Sequence, residues 1–279
     1  MTPFVAHVDA IEEGEARYPA PFDTIALGRG RNLSEAAGAV KLGVWHDRLP
    51  PGHRTGFLHA HQVEEELVYV LSGTPTLLWA LPGEGVVREP LRAGSFVAFA
   101  AGTGVFHAVE NRGPDDAVLL VVGERRDEDG LAYHDPTFAD WYRKRRPTRV
   151  WSPSQRPEVL YVTTCSADKA PDGALLPARE RYRGQRIEQA LDDAAELQLP
   201  LAFLSGALGL VPAQMPIPWY DHAMTDDDVA GMVPRLATAL LGVHEVLFDA
   251  LPESTEGWAP YHRALRRACE AADVKLTLV

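Results

Sequence analysis

Gly52-His53-Arg54-Thr55-Gly56-Phe57-Leu58-His59-Ala60-His61 sets the character of the first half of this chain. In an extended strand successive side chains alternate faces, so His59 and His61 project to one side and Ala60 to the other. Two imidazoles then share one pocket. Beyond a short connection, Glu66-Leu67-Val68-Tyr69-Val70-Leu71 reads as a second strand, rich in β-branched and aromatic residues and stopped by Ser72-Gly73. It begins with a carboxylate. A third run, Ser95-Phe96-Val97-Ala98-Phe99, leads through the turn Ala101-Gly102-Thr103-Gly104 to Val105-Phe106-His107-Ala108-Val109, which brings one more imidazole. Three histidines and a glutamate form a mixed nitrogen and oxygen donor set suited to a divalent first-row metal. The competing reading is an exposed polar strand face beside a solvated acidic run, Glu64 to Glu66. It requires matching positions in two separate stretches to coincide by chance.

These spacings resemble the two motifs of the cupin superfamily. The first motif runs Gly, about five residues, His-x-His, three or four residues, Glu, six residues, Gly. Gly52, His59, His61, Glu66 and Gly73 fit it, with six residues in place of five after the first glycine. The second motif is met by Gly94, Ala100, Gly102, His107 and Asn111. Ala100 stands where proline is usual, and Thr103 to Phe106 is two residues longer than the shortest form. Neither departure falls on a ligand position. The resemblance implies a jelly-roll barrel with His59, His61, Glu66 and His107 as ligands of one divalent ion, zinc or iron first and manganese or nickel next. Asn111 would close its strand. Glu65 is the fallback to Glu66, but only Glu66 has both the four-residue spacing from His61 and the six-residue spacing to Gly73. The resemblance also implies homodimers paired through N-terminal strands. His7, His46, His53 and His134 read as surface or core-edge imidazoles.

At 279 residues, 46% of them hydrophobic, the chain has room for two domains with real cores. A formal charge of −12 argues against a nucleic-acid duplex or an anionic lipid surface as partner. Two cysteines, Cys165 and Cys269, are too few for a disulfide scaffold and fit a reducing compartment. No apolar run approaches the ~20 residues of a membrane span. The stretch Met1 to Asp9 lacks the basic and apolar regions of a secretory signal. A soluble, cytoplasmic protein with a small-molecule substrate is the expectation.

Short apolar runs alternate with Gly and Pro turns from about Val5 to Val122, a β-barrel or sandwich signature. A helix near Thr137 to Arg146 reads as an appendage, which bounds an all-β first domain at residues 1–143. Residues 144–157, with three prolines and a basic cluster, read as a linker. Residues 158–279 change grammar. Val159 to Thr164 and Pro200 to Leu204 read as strands, Gln185 to Leu197 and Pro260 to Ala272 as helices, and Val274 to Val279 as a last strand. Thr225 with Asp226, Asp227 and Asp228 starts an amphipathic helix whose apolar side is read through Val243 to Leu247, with Pro234 expected to bend it. Alternation of strand and helix predicts an α/β layered domain with a mainly parallel sheet.

In open parallel sheets ligands collect beyond the carboxyl ends of the strands. Two predicted strands end in small polar loops here, Cys165-Ser166-Ala167-Asp168-Lys169 and Ser205-Gly206, with Trp219-Tyr220-Asp221 further on. From Val159 to Leu247 this half resembles a family of uncharacterised bacterial and phage domains. The matching positions are Cys165, Ser166, Lys169, Pro177, Ala178, Tyr182, Gly184, Leu204, Ser205, Gly209, Leu210, Pro218, Tyr220 and Asp221. That resemblance brings no activity with it. Candidate catalytic residues are Cys165, Ser166, Lys169, Ser205, Tyr220 and Asp221. A cysteine ending a strand near a lysine suits an activated thiolate, and equally a small buried residue shaping a turn. Ser205 lacks a Gly-x-Ser-x-Gly setting, and neither Gly-x-Gly-x-x-Gly nor a P-loop is present. The functional expectation is a metal-dependent cupin enzyme acting on a small polar metabolite, by isomerase, lyase or oxygenase chemistry, in natural-product or nucleoside-related biosynthesis. The alternative is a sensing cupin module with catalysis in the α/β domain. A third reading makes the cupin a dimerisation barrel.

Overall fold

The computed structural model describes residues 4–153, 155–171 and 173–279. Met1 to Pro3 of the N-terminal reading and Ser154 of the expected linker lie outside the described residues. The chain divides into two compact units, Met1–Gln155 and Arg156–Val279.

The first unit contains strands β1 (Gly14–Glu15), β2 (Arg29–Asn32), β3 (Leu42–Leu49), β4 (His59–His61), β5 (Glu66–Ser72), β6 (Thr76–Ala80), β7 (Val87–Pro90), β8 (Phe96–Phe99), β9 (Phe106–Glu110), β10 (Ala117–Glu124) and β11 (Leu131–Tyr133), with helices α1 (Leu33–Ala37) and α2 (Pro136–Arg145). They form two antiparallel sheets, in the orders β1-β2-β3-β10-β5-β8 and β11-β4-β9-β6-β7. In the first sheet Leu49 pairs with Ala117 and Leu119 with Val70. These residues are buried on one face, as period-two alternation requires. Two motif positions are structural. Gly73 has φ +85°, and a Cβ there would lie 2.7 Å from Ala117 Cα, so only glycine fits the turn. Asn111 Nδ2 donates to Leu49 O and Asp115 O at 2.7 and 2.8 Å, and its Oδ1 accepts from Gly113 N at 2.9 Å, which closes the strand end.

The region expected as a linker is partly folded onto this unit. Lys144 and Arg145 finish α2, whose start is capped by Asp135 Oδ1 accepting from Phe138 N at 2.8 Å. Pro147–Arg149 forms one 3-10 turn, and Trp151 N donates to Leu131 O at 3.0 Å. Prolines here end the helix without releasing the chain, because Trp151 packs against the apolar outer side of the five-stranded sheet.

The second unit contains β12 (Val159–Thr164), β13 (Leu176–Pro177), α3 (Ala178–Arg181), α4 (Gln185–Glu196), β14 (Leu201–Ser205), β15 (Gly209–Pro212), β16 (Pro216–Ile217), α5 (Asp226–Leu240), β17 (Glu245–Asp249), α6 (Ala259–Ala272) and β18 (Lys275–Leu278). The main sheet runs β15-β14-β12-β17-β18. β12 is parallel to β14 and β17, and β17 to β18, whereas β15 returns antiparallel along β14, so the sheet is mixed. One face is covered by α5 and α6 through residues such as Met232, Leu236 and Leu265, the other by α4 through Ile187 and Ala190. The helix expected to continue through Leu247 ends at Leu240. Gly242 takes φ +79° just beyond it, and Glu245–Asp249 is instead a strand whose alternate residues Val246 and Phe248 are fully buried. A strand of five residues flanked by a helix gives too short a period-two signal to stand apart from a continuing apolar stripe. Among the described residues, no helix is long and apolar enough to cross a membrane.

Candidate metal centre

β4 lies between β11 and β9 in the five-stranded sheet, with His59 paired to both Tyr133 and His107. This register places Tyr133, His59 and His107 in one cross-strand row on one face. His61 follows two residues along β4, on the same face. Glu66 comes from β5 in the six-stranded sheet, where it pairs with Phe99 of β8. The site therefore joins the two sheets. Glu66 Oε1 lies 3.3 Å from His107 Nε2, and Glu66 Oε2 lies 3.7 Å from His61 Nε2. Donor atoms of His59, His61 and Glu66 all fall within 4.8 Å of one another. The His59 and His107 ring centroids are 4.9 Å apart. Phe99 stacks flat on His107, with centroids 3.6 Å apart and planes 1° from parallel, which holds that ring in place.

The other side of each imidazole is tied down. His59 Nδ1 donates to Phe57 O at 2.9 Å and His107 Nδ1 donates to Val105 O at 3.1 Å. A carbonyl oxygen can only accept, so both rings carry a proton on Nδ1, and in the neutral ring this leaves the lone pair at Nε2. His61 Nδ1 meets Asp129 Oδ2 at 2.7 Å. Asp129 is 4% exposed, and its Oδ1 accepts from Val63 N and Glu64 N at 3.0 and 3.3 Å. Nε2 of His61 and of His107 are buried without a hydrogen-bond partner. A lone pair on His107 Nε2 facing a carboxylate oxygen at 3.3 Å is repulsive unless a cation, a proton or a metal ion, lies between them. The residues present thus fit a divalent ion.

Burial pushes the His59 imidazole down to about 4, reinforced by His107, so the ring is neutral around pH 7. Burial alone would raise the Glu66 carboxyl, but the close contact with His107 outweighs it and holds Glu66 ionised, at about 2. Neutral imidazoles and an ionised carboxylate are the protonation states in which these groups bind metals. Burial, with the Glu66 charge adding to it, pushes the Asp47 carboxyl up to about 7. Asp47 pairs with Leu119 on the same inward row that carries Val70. Burial also raises the Tyr133 phenol, so that it keeps its proton.

Asp129, Phe99 and Asp47 are the participants that spacing did not single out. Asp129 belongs to Glu124-Arg125-Arg126-Asp127-Glu128-Asp129, which reads as a solvated charge run. The one signal for it is the Gly130 beside it, where an added Cβ would lie 2.6 Å from Gln62 Oε1.

In the second unit the six candidates separate. Cys165 is half-buried, just past β12, with Sγ 3.8 Å from Tyr261 Oη. Ser166 Oγ accepts from Asp168 N at 3.0 Å and shapes the turn. Lys169 Nζ lies 4.7 Å over the Tyr220 ring. Ser205 is fully buried; its Oγ meets Tyr220 Oη at 2.7 Å and accepts from Ala207 N and Leu208 N, so it serves its turn. Asp221 is exposed. His222 pairs with Asp228 at 3.0 Å instead of with its neighbour Asp221. Spacing missed Arg186, Asp249 and Tyr261, which reach the same strand ends from distant segments.

Comparison with known proteins agrees with this geometry. The profile of the cupin domain family matches residues 45–123. Among solved structures, a sugar phosphate isomerase from a cupin superfamily, of Silicibacter pomeroyi DSS-3, is 30% identical over 46% of this chain and 80% of its own, with a TM-score of 0.43. A predicted oxalate decarboxylase of Thermotoga maritima is 24% identical over 44% of this chain and 99% of its own, with a TM-score of 0.35. The polyketide cyclase RemF of Streptomyces resistomycificus is 20% identical over 52% and 94%, with a TM-score of 0.39. A comparison with curated proteins finds no match. With its motif residues converged on one point and the family profile matching over residues 45–123, the first unit of the chain carries a cupin domain.

Proposed function

We propose that the protein is a metal-dependent enzyme acting on a small polar metabolite inside the barrel of its first unit, with His59, His61, Glu66 and His107 holding one divalent ion. The observation that carries this reading is the set of imidazole nitrogens turned inward. The Nδ1 atoms of His59 and His107 are committed to backbone carbonyls and that of His61 to Asp129, while the buried Nε2 atoms of His61 and His107 have no hydrogen-bond partner. When bound, the ion supplies Lewis-acid polarisation of a substrate oxygen.

The chain's own residues do the rest. Glu66 brings the negative charge that partly offsets the cation. Asp129 fixes the His61 tautomer and strengthens it as a donor. Tyr133, a protonated phenol in the row beside His59, is a hydrogen-bond donor and not a base. Asp47, poised at about 7, holds or releases a proton in the neutral range and is the candidate general acid or base. Ligand types of this kind serve zinc and iron as well as manganese and nickel, so the metal is assigned by measurement. Pairing of two copies through N-terminal strands belongs to the same proposal, since both residues of β1 are exposed at an edge of the six-stranded sheet.

The test is elemental analysis of protein purified without added metal, alongside the His59→Ala, His61→Ala double variant. The expected result is one first-row ion per chain, lost in the variant together with turnover. Equal metal content in both proteins, or full turnover in the variant, would sink the reading.

A further inference from the structure

The metal centre leaves unused a second polar cluster, at the carboxyl ends of the central strands of the second unit. From β12 the chain first crosses to β14 on one side and later adds β17 on the other, so the winding of the sheet reverses at β12. The crevice beyond such a reversal is where open parallel sheets bind their ligands. Cys165 is the first residue past β12. It packs against the apolar clusters of both sheet faces and remains half-buried, which puts a thiol at the centre of that crevice with access to solvent.

Two cations belong to the same strand ends. The Arg186 guanidinium lies 4.7 Å over the Trp258 ring and donates to Thr164 Oγ1 at 2.6 Å and Asp249 Oδ2 at 3.3 Å. Asp249 Oδ2 also accepts from Thr163 Oγ1 at 2.8 Å, so this carboxylate is already engaged twice. Lys169 lies over Tyr220 and makes no ion pair among the described residues. Tyr220 is itself fixed, with its hydroxyl 2.7 Å from Ser205 Oγ and 2.5 Å from Tyr182 Oη. Tyr261 Oη accepts from Met224 N at 3.0 Å, which leaves its proton available to Cys165 Sγ. Lys169 and Arg186 thus put two cations on the segments that flank an accessible thiol, a setting in which reactive cysteines occur.

We propose that this crevice is a binding site for a small anion bearing an electrophilic carbon, with Lys169 and Arg186 as its cationic flanks and Cys165 as the nucleophile facing it. In the covalent step Sγ forms the S–C bond, the leaving group departs with its bonding electron pair, and the thiol proton passes to solvent. The site is independent of the metal centre.

Iodoacetate and iodoacetamide test this on the full chain, because they transfer nearly the same carbon and differ in charge. Iodide is the leaving group in both. Labelling is followed by mass spectrometry of the peptide containing Cys165, with Cys269, 2% exposed, as the internal reference. The expected result is that iodoacetate labels Cys165 faster than iodoacetamide by roughly tenfold relative to the ratio for N-acetylcysteine, since a focused positive field raises the local anion concentration. The advantage should shrink with added salt. Lys169→Gln and Arg186→Gln should each bring the ratio toward that of the free thiol. Arg186 also binds Thr164 and Asp249, so if Arg186→Gln does not fold, Lys169→Gln decides alone. Labelling no faster than the free thiol, no preference for the anion, or a preference that survives Lys169→Gln would overturn the proposal.

Discussion

The two units hold their polar clusters on β-structure in opposite ways. In the first, the candidate ligands project from within paired strands, and their positions follow from side-chain alternation and cross-strand register. In the second, the polar groups stand beyond the strand ends, on loops and helix starts that the sheet's winding brings together. A site inside a barrel is fixed by the hydrogen-bonded ladder, and its groups are buried. A site at a strand end is fixed by separate packing of each contributor, and its groups remain partly open to water. The first site should therefore resist everything except loss of its cation, whereas the second should depend on how its surrounding loops are braced.

The largest expected effect separates the units by metal. An ion present at about a thousand times its dissociation constant adds about 4 kcal/mol to the fold that binds it. Chelation should therefore lower the unfolding transition of the first unit and leave that of the second in place, as read by scanning calorimetry before and after metal removal. A common downward shift of both transitions would break the comparison.

Bracing of the second site is tested at Arg181. This side chain is 0% exposed and donates to the carbonyls of Ala170, Ala174 and Ile217, pinning the segment between β12 and α3 to β16. Arg181→Met removes a donor from the buried carbonyls of Ala170 and Ile217, a loss of about 3 kcal/mol. It should appear as a lower denaturation midpoint of the second unit with metal content unchanged. An unchanged midpoint would show that the loops are held by something else.

A smaller effect sharpens the first site. Asp129→Asn preserves the shape of the side chain and an acceptor for Val63 N and Glu64 N, but turns an amide donor toward His61 Nδ1. His61 would then carry its proton on Nε2 and lose the lone pair it offers a metal. Metal affinity should fall by about 10- to 100-fold, measured by competition with a chromogenic chelator, while the apo fold keeps its stability. Undiminished affinity would remove His61 from the ligand set.

How much was legible in the sequence follows from the same contrast. His59, His61, Glu66 and His107 declare themselves because period-two alternation and motif glycines such as Gly73 act over a few residues. Asp129 does not, because its burial is decided by pairing of β11 with β4, some seventy residues away from His61 along the chain. In the second unit the strands β12 and β14 are legible as apolar runs, and Cys165 and Lys169 as a loop between them. Arg186, Asp249 and Tyr261 are not, since only the order β14-β12-β17 brings their segments to one edge. The strand β17 was hidden for a related reason: Val243 and Leu247 fit the stripe of the preceding helix until Gly242 breaks it.

At Asp47 the barrel interior stores a cost that the second site, open to solvent, does not share. Its folded value of about 7 lies above the ordinary 3.8, so the native state binds more protons than the unfolded chain between those limits. Whatever stability the neutral carboxyl permits is fully present below about pH 4 and is lost as the pH rises through about 7. Asp47→Asn removes that loss. In chelated protein the variant should gain on the parent in stability by about 2.6 kcal/mol between pH 5 and pH 8, read from urea midpoints at both pH values. Chelation is required because a cation beside Glu66 would cancel part of the charge that raises Asp47. A difference that does not change with pH would mean that Asp47 is ionised throughout, and would remove it as the proton carrier of the barrel.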